Sequence, residues 1–91
     1  MATNFADLNS DLLATLSAGF LICNGITTPD AGLVKALSGA VFSNINAWYR
    51  NQGRTFNPDA ELVEEEAIRY AFGRVQMIAD LAKAAADQLA Q

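Results

Sequence analysis

The chain's two prolines fall in near-identical phrases, Thr28-Pro29-Asp30-Ala31 and Asn57-Pro58-Asp59-Ala60, and nothing else constrains the fold as strongly. In each phrase a hydroxyl or amide side chain is placed to cap orphan backbone N–H groups. Proline follows at the first helical position, where its missing donor costs nothing, and an aspartate then sits in the positive first turn. The matching stops are Asn24-Gly25 and Asn51-Gln52-Gly53, where glycine or asparagine is placed to turn left-handed after a last helical turn. These marks predict an all-α single domain over 1–91. Its three helices, at about 5–22, 30–51 and 59–89, form a small bundle with a long, partly overhanging C-terminal helix. The segments after the two phrases do not match each other beyond their caps, so the chain holds no internal repeat.

Composition agrees. Apolar residues make up 52% of the 91 positions and charged residues 18%, against an average of about 45–50% and about 25%. The excess is largely alanine, which favours helix. A net charge of -4 argues against nucleic-acid binding as the main task, because phosphate neutralisation needs a clustered basic surface. Histidine is absent, which removes the commonest metal ligand and the commonest acid–base group near neutral pH. Cys23, the one cysteine, has no internal disulfide partner. In the apolar run Phe20-Leu21-Ile22-Cys23 it is expected to be a small buried hydrophobe. No basic segment precedes the first apolar run, and Leu12 to Cys23 is too short to span a bilayer. A cytoplasmic chain with no membrane partner is expected.

The second helix carries a large apolar stripe at Leu33, Leu37, Val41, Ile45 and Trp48. Beside it runs a stripe of small residues: Gly32, Ala36, Ala40 with Gly39 adjacent, Ser43 and Ala47. Glycine in a helix costs about 1 kcal/mol relative to alanine, so Gly32 and Gly39 need a compensating use. It is either close packing within the chain or contact with a second chain. The third helix has its polar residues on one line, through Glu61, Glu65, Arg69, Gln76, Asp80, Lys83 and Asp87. Two apolar stripes flank that line, one through Val63, Ala67, Tyr70, Ala71, Ile78, Leu81 and Ala85, the other through Ile68, Phe72, Val75, Ala79, Ala82 and Ala86. A surface helix needs one apolar stripe about 100° wide, so this helix has apolar surface to spare. At about thirty residues it would run on the order of 45 Å, against about 27 and 33 Å for the first two. Its end, Leu81 to Leu89, should therefore project and either fray or be covered by a partner, and of these self-association is expected.

Catalysis finds little to work with. Glu64, Glu65 and Glu66 are consecutive, so they point in three directions around a helix and make no paired site. Glu66 falls on an apolar stripe and is expected either near the exposed end of the helix or in an ion pair with Arg74, Arg50 or Arg54, within or between subunits. No glycine-rich phosphate loop, metal-spaced cluster or nucleophile elbow occurs. The expectation is no enzyme, no cofactor, no metal and no catalytic residue. Arg50 and Arg54, after Trp48-Tyr49, form the one basic cluster. Arg50 suits the negative end of the helix dipole, and the pair together is a candidate protein contact.

The run Asp30-Ala31-Gly32-Leu33-Val34-Lys35-Ala36-Leu37, continuing through Ala40, Ile45, Trp48-Tyr49 and Gly53-Arg54, resembles the central helix of tailed-phage head–tail connector (adaptor) proteins. Pro58, Leu62-Val63, Ala67-Ile68, Tyr70-Ala71 and Arg74 resemble the helix that follows it in that family. Together these cover more than half of the chain. The departures are a shorter chain and a less acidic loop at Asn24-Gly25-Ile26-Thr27. The resemblance implies a structural virion protein, assembled in the host cytoplasm and placed at the neck. There, copies form a ring, commonly twelvefold, beneath the portal and dock a stopper or tail protein. Genome DNA passes through such a channel without sequence-specific contact. In a ring each subunit meets its neighbours through two unlike faces. The candidate interface residues are Gly32, Ala36, Gly39, Ser43, Arg50, Arg54, Ile68, Phe72, Val75, Leu81 and Leu89. The alternative is a cytoplasmic homo-oligomeric helical interaction module. A small DNA-binding protein is a third reading, which salt-dependent duplex binding would reveal.

Overall fold

A computed structural model describes residues 4–90. Among them are three helices, α1 (Phe5–Cys23), α2 (Ala31–Asn51) and α3 (Glu65–Leu89), and no strand. The all-α expectation holds. Helix α2 is central, and α1 and α3 pack against it. Asn9 of α1 lies beside the segment before α3, while Phe20 and Asn24 lie beside Phe72 and Gln76. Thus α1 and α3 run in the same direction, and α2 returns between them.

Both expected stops form as written. Gly25 and Gly53 take φ of +95° and +72°. At the first, the Ile26 N–H donates to the Leu21 carbonyl at 2.9 Å and the Gly25 N–H to that of Ile22 at 3.1 Å. At the second, Arg54 donates to Tyr49 at 3.0 Å and Gly53 to Arg50 at 2.9 Å. In both places the paired bonds close carbonyls that the helix end would otherwise orphan.

The two proline phrases part company, and both differ from the expected geometry. In the first, the cap is Asp30 rather than Thr28: its carboxylate accepts from the Leu33 N–H at 2.7 Å, and α2 begins at Ala31. In the second, Asn57 starts one turn, with its carbonyl accepting from Ala60 and Glu61, and the helix then fails to propagate. Helix α3 begins at Glu65, not at 59. The reason is tertiary. A helix running on from Pro58 would need the carbonyls of Pro58 and Glu61 as acceptors and the N–H groups of Val63 and Glu64 as donors. The buried Asn9 amide donates to Pro58 and Glu61, both at 2.9 Å, and its oxygen accepts from Val63 at 3.0 Å. The Tyr49 hydroxyl accepts from Glu64 at 3.0 Å. With these four groups bound to other helices, a locally good start is overridden.

One core cluster draws on all three helices and on the connection before α3: Leu13, Val41, Ile45, Tyr49, Phe56, Val63, Ala67 and Ala71. Phe56 stacks on Tyr49 with ring centroids 4.8 Å apart. Ser17 of α1 is buried and accepts from Ser38 of α2 at 3.2 Å, so small polar residues stand where these two helices meet.

The molecule is elongated, measuring 57 × 31 × 17 Å with a radius of gyration of 14.8 Å. A compact domain of this length would have a radius of about 12 Å. The difference comes from α3. Its 25 residues run about 37 Å, and every described residue from Asp80 to Ala90 is exposed. The overhang expected from helix lengths is present.

Candidate protein-docking surface

The projecting end of α3 is built by register. In the body of the fold Ala67 and Ala71 are buried, and Ile68, Phe72 and Val75 are half-buried against the core. Three- and four-residue steps carry the buried face of α3 onward through Ile78, Ala82, Ala85 and Leu89, with Leu81 at its edge. Beyond the end of α1 none of the described residues covers that face. Ile78 is 56% exposed, Leu81 64% and Leu89 86%. Ile26, 40% exposed, borders the same end beside Ala79, Asp80 and Lys83. Fixed alone in water, such a stripe leaves its hydrophobic free energy unrealised, at about 25 cal/mol per Å² of apolar surface.

The other sequence candidates fall elsewhere. Ile68, Phe72 and Val75 serve chiefly the chain's own packing, with Phe72 stacked on Phe20 at 5.6 Å. Gly32, Ala36, Gly39 and Ser43 lie on exposed positions of α2. A Cβ added at Gly39 would meet nothing within 4 Å, and one at Gly32 only its own cap, Asp30, at 3.2 Å. The small-residue stripe therefore admits no close helix within the chain, and of its two readings close internal packing is excluded. Arg50 is exposed in the last turn of α2.

Arg54 has a structural post. Its guanidinium lies 5.5 Å from the Trp48 ring centroid and 4.9 Å from that of Tyr49, and it pairs with Glu64 at 2.6 Å. Tyr49, Arg54 and Glu64 together clamp the start of α3 onto the end of α2. This corrects the expected ion pair. Glu66 points to solvent, and the partner of Arg54 is Glu64, because the chain is still extended at 64 and turns that carboxylate toward the α2 end. The pair is about half exposed, so its direct contribution to stability is small. Cys23 is corrected too: it is exposed, since α1 directs Leu13, Ser17 and Leu21 inward and leaves Cys23 on the outer side.

Two residues central to the fold escaped the sequence reading. Asn9 occupies the buried i, i+4 row of Leu13, Ser17 and Leu21, and a polar residue in an apolar row was the available signal. Tyr49 continues the row of Val41 and Ile45 and is nearly fully buried, a place the spacing had assigned to Trp48. Burial raises the Tyr49 pKa above its ordinary 10.0, and the nearby Glu64 and Glu61 charges push the same way. A raised folded-state value means stability that is complete below pH 10 and lost as pH climbs through it. Thermal melts taken across alkaline pH should show that loss, and Tyr49→Phe should flatten it.

As chemistry, the surface offers apolar contact and little else. Among the described residues no three cysteine or carboxylate side chains gather to hold a metal ion, and no helix is long and apolar enough to cross a membrane. The chain matches no protein-family model, no curated protein and no solved structure.

Proposed function

We propose that this chain is a structural subunit that works by docking its projecting C-terminal helix onto other proteins. The specific form is a head–tail adaptor that assembles as a ring beneath a phage portal and links capsid to tail. One observation carries the reading. The buried face of α3 continues uncovered for about ten residues past the body of the fold, with Leu81 and Leu89 exposed along it. A helix end of this kind is suited to lie against a partner's groove through anchors three and four residues apart. The resemblance of Asp30–Leu37, Trp48-Tyr49 and Gly53-Arg54 to the connector helix adds the portal as partner and the virion neck as location. A net charge of -4 suits a channel through which DNA must slide without sticking.

The test is reconstitution. Mixed with the portal protein of the same genome, which this reading requires, the chain should decorate one end of the portal as a closed ring in negative-stain electron microscopy. A portal that stays bare would remove the adaptor reading. A second reading, a homo-oligomeric helical interaction module, is favoured by the gathering of Ile26, Ile78, Leu81 and Leu89 at one end of the molecule. One patch closes a symmetric contact, whereas a ring needs two unlike ones. A discrete dimer or tetramer that ignores the portal would select it.

A further inference from the structure

We infer that residues 58–64 are a two-state element, held out of α3 by α1 and α2 and joining α3 as its opening turns when Asn9 of α1 lets go. The capping groups and the helix that needs them stand apart. At Asn57 a helix start is formed: its side-chain oxygen accepts from the Asp59 N–H at 3.1 Å, and its carbonyl accepts from Ala60 at 3.1 Å and Glu61 at 3.2 Å. Helix α3 nevertheless begins at Glu65. Glu64 fills the cap position with no side-chain cap bond, its carboxylate turned to Arg54 instead. Asparagine is among the best caps, and glutamate is not one of the favoured types.

The residues between favour helix. Ala60, Glu61, Leu62 and Glu64 are good helix formers, with Val63 the one β-branched exception. Once a first turn exists, propagation is the easier step. What stops it lies outside the segment. Asn9 holds the Pro58 and Glu61 carbonyls and the Val63 N–H, and Tyr49 of α2 holds the Glu64 N–H. In a continuous helix the N–H groups of 62, 63, 64 and 65 would donate to the carbonyls of 58, 59, 60 and 61. Val63 would give up its core place, while Leu62, 50% exposed, has little to lose. Glu61 and Glu65 would come to one-turn spacing, a like-charge repulsion that salt screens. The connection can follow. Starting α3 at 59 moves its head by about 9 Å, and the six residues 52–57 reach about 20 Å. The device couples two helices: α1 in its seat keeps α3 short, and drawing the first half of α1 away lengthens α3 at its head by nearly two turns.

NMR on the full chain at physiological salt tests this. In Asn9→Ala the Cα shifts of Leu62, Val63 and Glu64 should move downfield, to the helical side of their random-coil values and continuous with α3. Adding Leu62→Pro, which removes one of the new bonds and clashes with the Pro58 carbonyl, should abolish the movement. Amide protection falls whether the released segment coils or frays as a helix end, so the sign of the shift decides. Unchanged α2 shifts verify that the fold is kept. Random-coil values at 62–64, values unchanged from the parent, or helical values that survive Leu62→Pro would each overturn the inference. If Asn9→Ala does not fold, Val63→Ala decides by the same outcomes, since it frees the segment from the core and leaves Asn9 in place.

Discussion

Replacing Asn9 by leucine is expected to lower stability by about 3 kcal/mol, seen as a fall in melting midpoint of at least about 12 °C for a domain of this size. Leucine keeps asparagine's branched shape but is bulkier, so some overpacking in this buried site adds to the loss of the hydrogen bonds. The amide serves three backbone groups, the carbonyls of Pro58 and Glu61 and the N–H of Val63. The Val63 bond is fully buried, and a buried donor left unpaired costs about 1–3 kcal/mol by itself. The carbonyls are partly reached by water and add less. Hydrogen exchange should localise the effect, with the 57–64 segment losing protection before the centre of α2. A variant that melts within about 2 °C of the parent would mean that the segment is held by Phe56 and Val63 alone.

The second large effect falls on assembly rather than on folding. The double variant Leu81→Asp/Leu89→Asp should leave the melting midpoint nearly unchanged, because both side chains already face water in the single chain. It should weaken self-association by at least about 100-fold, since a carboxylate forced into a desolvated contact costs a few kcal/mol and each 1.4 kcal/mol is tenfold in Kd. Sedimentation velocity over a concentration series reads both arms. A variant that associates as tightly as the parent would move the contact away from the end of α3.

Much of this architecture was legible from local chemistry. The glycine stops at 25 and 53 need only the left-handed turn that glycine adopts freely, and both formed where the sequence placed them. The overhang followed from comparing helix lengths at a fixed rise per residue, and it survived a six-residue error in where α3 starts because the projecting end is the other one. That start could not be read locally. Pro58-Asp59 opens a helical turn as expected, but whether it propagates depends on Asn9, some fifty positions earlier, and on Tyr49. Periodicity located the inward face of α2 to within one residue, naming Trp48 where Tyr49 is the buried ring. It also identified two apolar stripes on α3 without showing that the body of the fold uses most of both. The surplus surface that they suggested is most exposed on the projecting end, at Ile78, Leu81 and Leu89, while Leu8, Leu33 and Leu62 are exposed elsewhere on the fold. For the candidate interface this leaves Leu81 and Leu89 in the strongest position. Ile68, Phe72, Val75 and Arg54 are engaged within the chain, and the small residues of α2 are exposed with nothing against them.

The central claim is that the end of α3 is an assembly device and no part of the folding unit. It is tested most directly by comparing the full chain with one ending at Asp80, in melting temperature and in mass by light scattering at high micromolar concentration. The expected result is a shift in melting midpoint of no more than about 4 °C, equivalent to less than about 1 kcal/mol, together with conversion of the associated full chain to a monomer. A shortened chain that unfolds would contradict the claim, as would one that associates as the full chain does.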